Sequence, residues 1–121
     1  MLGFGELEAA IMEQVWSAGQ PVLVREIQQP IKPQRAYNTV WTVVEILYRK
    51  GWLTRKKDGR AYRYRATVSR ADYTAGLMGA ALDASSDRAA TLHRFAEKID
   101  ATEARQLREA LDRAHRSEGH T

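Results

Sequence analysis

Asn38, Thr39, Trp41 and Thr42 stand within one short stretch, and each carries a group that can read or hold a nucleic acid. An asparagine amide can make a bidentate contact to adenine, and a threonine offers a hydroxyl to phosphate and a methyl to thymine. Residues 49–65 add eight cations: Arg49, Lys50, Arg55, Lys56, Lys57, Arg60, Arg63 and Arg65, with Asp58 the single acid among them. Such a stripe attracts polyanions whatever their sequence, although a solvated basic surface would look the same. Other chemistries lack their residues. There is no cysteine, which removes disulfides, thiolate catalysis and thiolate metal ligands. His93, His115 and His120 are scattered without metal-ligand spacing, so no metal and no cofactor is implied. No Ser/His/Asp order, glycine-rich phosphate loop or carboxylate pair is present, and an enzyme is not expected.

Helices and a hairpin must position these groups. Residues 6–18 read as an amphipathic helix with Leu7, Ile11 and Val15 four apart, stopped by Gly19. Gln20-Pro21-Val22 is an extended connector, and residues 23–29 form a short helix with Val24 and Ile27 inward. Pro30-Ile31-Lys32-Pro33 breaks the chain. A third helix starts near Ala36 or Tyr37 and ends at Lys50-Gly51, burying Val40, Val43, Val44 and Leu47. Asn38, Trp41, Thr42 and Glu45 share its other face. Residues 53–57 and 61–65 then alternate with period two across Asp58-Gly59, a hairpin signal, with Tyr62 and Tyr64 on one side and Arg63 and Arg65 on the other.

From residue 69 onward only helices are expected: 70–84, rich in small residues; 88–99, opened by Asp87; and 103–115, capped by Asp100 or Thr102. The tail 117–121 should fray. The fold class is mostly α with a small β-hairpin wing. Residues 1–68 form a winged helix–turn–helix, whose third helix enters the major groove and whose wing lies along the backbone. Residues 69–121 form a three-helix domain. Arg55, Lys56, Lys57, Arg60 and Arg63 are the expected backbone contacts, and Tyr37 would reach a phosphate or staple the start of the third helix. Trp41 would meet thymine methyls and sugar, or fold back over the core. Glu45 would accept from cytosine N4 or pair with an arginine. Trp16, Trp52, Tyr62 and Tyr64 are spaced for core packing rather than for stacking single strands.

Charge divides along the same line. Residues 1–70 carry twelve Lys/Arg against six Asp/Glu, and residues 71–121 carry seven against nine, so one lobe faces polyanions and the other has a different task. Three apolar-striped helices in about fifty residues cannot bury their own stripes, which points to a homodimer. Leu77, Met78, Ala81, Leu92, Phe95, Leu107 and Leu111 are the expected interface. Gly76, Ala80 and Ala81 would allow close helix approach within one chain or between two. No apolar run approaches the roughly 18 residues of a membrane span. Met1-Leu2-Gly3-Phe4 has no leader character, and the expected location is the cytoplasm.

Residues 5–66 resemble the BlaI/MecI penicillinase-repressor group. The likeness runs through Gly5-Glu6-Leu7-Glu8, Val15-Trp16, Ala36-Tyr37-Asn38-Thr39-Val40-Trp41-Thr42-Val43, Leu47-Tyr48-Arg49-Lys50-Gly51-Trp52-Leu53 and Tyr62-Arg63-Tyr64. It continues in Ala75-Gly76-Leu77-Met78 and Phe95-Ala96-Glu97-Lys98. The resemblance implies a dimeric repressor on pseudo-palindromic duplex operators with TACA/TGTA-like half-sites, contacted by Asn38, Thr39, Trp41 and Thr42. It also implies release by a sensor-linked protease that cuts an Asn-Phe pair, which here reads Arg94-Phe95. Ile46 stands where the group usually has arginine, Pro30 and Pro33 interrupt a smoother stretch, and the cysteine cluster of the copper-responsive branch is absent. Two other readings stay open: a winged-helix protein-interaction module with an acidic partner, and a DNA-binding repressor induced by a small molecule.

Overall fold

The computed structural model describes residues 3–31 and 35–118. Lys32, Pro33, His120 and the tail from residue 119 lie outside the described residues. The elements run α1 (Glu6–Ala18), α2 (Val24–Gln28), α3 (Tyr37–Arg49), β1 (Leu53–Asp58), β2 (Ala61–Ala66), α4 (Arg70–Asp83), α5 (Arg88–Lys98) and α6 (Ala101–Glu118). This is the mostly helical, hairpin-bearing winged-helix architecture that the periodicities predict.

The core is built by the inward faces of α1, α2 and α3 closed by the hairpin. Ile11, Met12, Val15, Val22, Val24, Ile27, Val40, Val44, Leu47, Leu53 and Tyr64 are buried, with Leu7, Val43, Trp16 and Trp52 packed against them. Glu8 accepts from the Gly5 N–H at 3.0 Å and Glu26 from the Leu23 N–H at 2.8 Å, so each helix start satisfies one orphan donor.

The junction from α3 into β1 is a Schellman turn. The Trp52 N–H reaches the Leu47 carbonyl at 3.0 Å, and the Gly51 N–H reaches that of Tyr48 at 3.1 Å. Gly51 sits at φ +89°, a conformation that opposes any Cβ. β1 and β2 pair antiparallel from Leu53↔Ala66 to Asp58↔Ala61, leaving a two-residue loop, Gly59-Arg60. Gly59 has φ +67° and Arg60 does not, the type II′ pattern, so Asp58 ends a strand instead of occupying the turn. The connector pins β2 from its other edge: Val22 and Tyr64 exchange backbone hydrogen bonds of 2.9 and 2.7 Å.

Contacts divide the chain into two compact units, one reaching to Ala80 and one from Ala81 onward. The early turns of α4 thus pack with the winged helix, beyond the boundary expected at residue 68. Tyr73 stacks on Phe4 with ring centroids 4.3 Å apart and accepts the Phe4 N–H at 2.7 Å. The Trp16 indole donates to the Val68 carbonyl at 3.0 Å, and Arg70 forms a two-pronged pair with Glu13. In the second unit α6 begins two residues earlier than periodicity suggests, and Asp100 and Glu103 cap it reciprocally. Thr102 lies inside the helix, and the helix extends through Ser117 to Glu118, past the expected fraying point. Among residues whose side chains are described, none beyond Tyr64 is buried.

Candidate nucleic-acid interface

The exposed face of α3 borders a cleft of about 650 Å³ whose other walls are the start of α2 and the hairpin tip. Tyr37 and Trp41 line it from α3, Leu23 and Arg25 from α2, and Arg60, Tyr62 and Arg63 from the hairpin. Trp41 is 47% exposed, so it does not fold back over the core. Asn38 and Thr39 are exposed beside it. Thr42 donates its hydroxyl proton to the Asn38 carbonyl at 2.8 Å, which leaves the methyl and the oxygen lone pairs outward. Ile46, also exposed, continues the face as an apolar group.

The six hairpin cations fall into two sets, while Lys50 at the end of α3 lies 3.7 Å from Glu8 Oε2. Lys56, Lys57, Arg60 and Arg65 have no ion-pair or side-chain hydrogen-bond partner among the described residues. Arg55 and Arg63 are occupied within the chain. Arg63 binds Asp58 Oδ2 at 2.7 Å and Glu26 Oε1 at 3.4 Å, tying β2 to the end of β1 and to α2. Arg55 binds Glu45 Oε2 at 2.9 Å and the Tyr64 hydroxyl at 3.3 Å. Hydrogen bonding to Tyr64 and attraction to Glu45 raise the Arg55 guanidinium further above its ordinary value, outweighing its partial burial. For Arg63 the bond to Asp58 acts in the same direction. Glu45 also lies 3.9 Å from Arg49 Nε, so it takes the arginine-pairing alternative.

Sequence reasoning alone does not single out Arg25. It is exposed at the start of α2, has no side-chain partner among the described residues, and lines the cleft with Arg60. Its only signal in the chain is a lone cation at the first turn of a short helix. Of the aromatics, Tyr64 is buried and Trp16 and Trp52 pack on the core, while Tyr62 stays exposed against Arg55. Among the described residues no group of three His, Asp or Glu could hold a metal ion, and no helix is long and apolar enough to cross a membrane.

Leu77 and Leu82 are half-buried, whereas Met78, Leu92, Phe95, Leu107 and Leu111 stay exposed as apolar groups on α4, α5 and α6. Arg94 is exposed mid-helix in α5 and lies 3.5 Å from Glu97.

The penicillinase repressor family model matches residues 4–113. The transcriptional regulator BlaI of Mycobacterium tuberculosis is 40% identical over 113 residues, which are 88% of this chain and 81% of that one. Among solved structures, the transcriptional regulator Tm0710 from Thermotoga maritima is similar with a TM-score of 0.53 at 18% identity, covering 92% of this chain and 73% of that one. A point mutant of S. aureus MepR bound to an oligodeoxyribonucleotide has a TM-score of 0.51 at 16% identity, covering 93% and 78%. At such identities these two structures speak to the fold alone.

Proposed function

The chain belongs to the penicillinase repressor family of winged-helix transcription regulators, and on that premise we propose that it is a homodimeric repressor of a pseudo-palindromic duplex operator. The observation that carries the reading is the outward face of α3, where Asn38, Thr39, Trp41 and Thr42 are exposed and Trp41 lines a cleft with Arg25 and Arg60, which have no side-chain partner among the described residues. Asn38 and the Thr42 methyl read base edges, and Trp41 covers thymine methyls and sugar. Arg25, Lys56, Lys57, Arg60 and Tyr37 hold phosphates, which sets the register of α3 in the groove.

One wing carries few free cations, and a twofold dimer compensates by holding two half-sites at once. The apolar groups of α4, α5 and α6, from Leu77 and Met78 through Ala81, Leu92 and Phe95 to Leu107 and Leu111, are the surface offered to the second copy. As a regulator acting on DNA it would work in the cytoplasm. Release by a sensor-linked protease at Arg94–Phe95 belongs to the same proposal. That bond lies within α5, so cutting it requires local opening of the helix.

Selection from a random duplex pool tests the reading without presupposing an operator. The proposal expects a twofold-symmetric consensus of TACA/TGTA type. A pool that stays random while the protein still retains DNA would reduce the interface to a phosphate-binding stripe.

A further inference from the structure

We propose that Arg55 is a positioning residue that clasps the wing onto α3, and that the clasp withdraws Glu45 from base recognition. Sequence reasoning from residue type makes Arg55 a backbone contact; its surroundings give it another task. β1 supplies the guanidinium, β2 supplies Tyr62 and Tyr64, and α3 supplies Glu45 and Tyr48. The Arg55 guanidinium carbon lies 4.0 Å from the Tyr48 ring centroid and 4.2 Å from that of Tyr62. Nη1 is shared between Glu45 and Tyr64. The Arg55 and Glu45 side chains are only 21% and 18% exposed, whereas that of Arg49, the other cation near Glu45, is 77% exposed.

A planar cation stacked on aromatic rings and bonded to a carboxylate is a task arginine performs and lysine does not. A phosphate reaching Arg55 would meet a guanidinium whose Nη1 already serves Glu45 and Tyr64, while Lys56 and Lys57 next to it in β1 have no side-chain partner among the described residues. The hairpin has two other anchors, the Val22–Tyr64 bridge and the Arg63 pairs, so the fold does not depend on the clasp. What depends on it is the tilt of the wing against α3, and hence whether the wing cations and the reading face meet one duplex together.

The geometry stands independently of the operator-binding reading, but the effect on DNA affinity rests on it. Two measurements separate them. Amide hydrogen exchange at Lys56 and Arg63, a hydrogen-bonded pair of the ladder flanking Arg55, is compared without DNA among the wild type, Arg55→Lys and Glu45→Gln. Anisotropy titration of the same proteins, and of the double variant, uses a duplex bearing a TACA/TGTA palindrome at two salt concentrations.

A clasp predicts faster exchange in both single variants and binding weaker by about tenfold, a size usual for coupled neighbours, with the double variant no worse than Arg55→Lys. Arg55→Lys keeps the charge, so a phosphate contact would survive it. Glu45→Gln removes a negative charge beside the DNA face, so if Arg55 were a restrained phosphate ligand this variant would bind every duplex more tightly. Tighter binding by Glu45→Gln, or unchanged exchange in both variants, overturns the proposal. If the wild type itself binds palindrome and scrambled duplex alike, the operator reading fails while hydrogen exchange still decides the clasp.

Discussion

Thr42 spends its hydroxyl proton on the Asn38 carbonyl, so its outward contribution is a methyl and an acceptor. Replacing either Asn38 or Thr42 with alanine should therefore weaken specific binding by about 1–3 kcal/mol and leave nonspecific binding nearly unchanged. Equal losses on cognate and scrambled duplexes would mean that this face does not read bases. Lys56→Ala and Arg25→Ala should act the other way, weakening all duplexes alike and flattening the salt slope by about one unit each. At this scale residue type was a partial guide. The exposure of Asn38, Lys56 and Lys57 agrees with their polar type, which needs no distant partner to be read. The occupancy of Arg55 and Arg63 could not, because the groups that hold them come from other elements, Glu26 lying 37 residues from Arg63. The place of Arg25 in the cleft was not legible because a single cation carries no pattern.

Helix and strand periods were readable because each buried face is local: three and four in α3, two in the hairpin, with Gly51 and Gly59 marking the turns. Gly51→Ala should cost about 1–2 kcal/mol in urea denaturation, since φ +89° is closed to a Cβ and the Schellman bonds depend on it. A loss within error would mean the turn relaxes without penalty. The attachment of α4 was not readable, because Phe4, Trp16, Trp52 and Tyr73 meet across long chain separations. Within it, hydrogen bonding to Arg70 holds the Glu13 carboxyl below its ordinary 4.5, against a smaller opposing effect of desolvation. A depressed carboxyl contributes stability above its unfolded value and loses it as pH falls through the folded one. The gap in urea midpoint between wild type and Arg70→Ala should thus be constant at neutral pH and narrow below 4.5. A gap that persists unchanged into acid would assign the Arg70 contribution to its packing over Trp16, whose ring centroid lies 5.7 Å from the guanidinium carbon.

The molecule as a whole divides between a unit that closes its own core and one that leaves its apolar groups in solvent. That asymmetry could be anticipated from composition, because about fifty residues with three striped helices lack a partner surface within themselves. What composition does not contain is how the stripes pair. Leu107→Glu with Leu111→Glu should halve the sedimenting mass and carry affinity for a full palindrome down to that for a half-site. A monomeric wild type would remove the dimer from the proposal.

In the proposed repressor α3 reads sequence while the wing supplies charge. The most direct test of this division is anisotropy titration of labelled duplexes, one with a TACA/TGTA palindrome and one scrambled, at two salt concentrations. The palindrome should bind tighter by about a hundredfold or more, with the ratio maintained at the higher salt. Equal binding to both duplexes that vanishes as salt rises would contradict it, leaving only a basic surface.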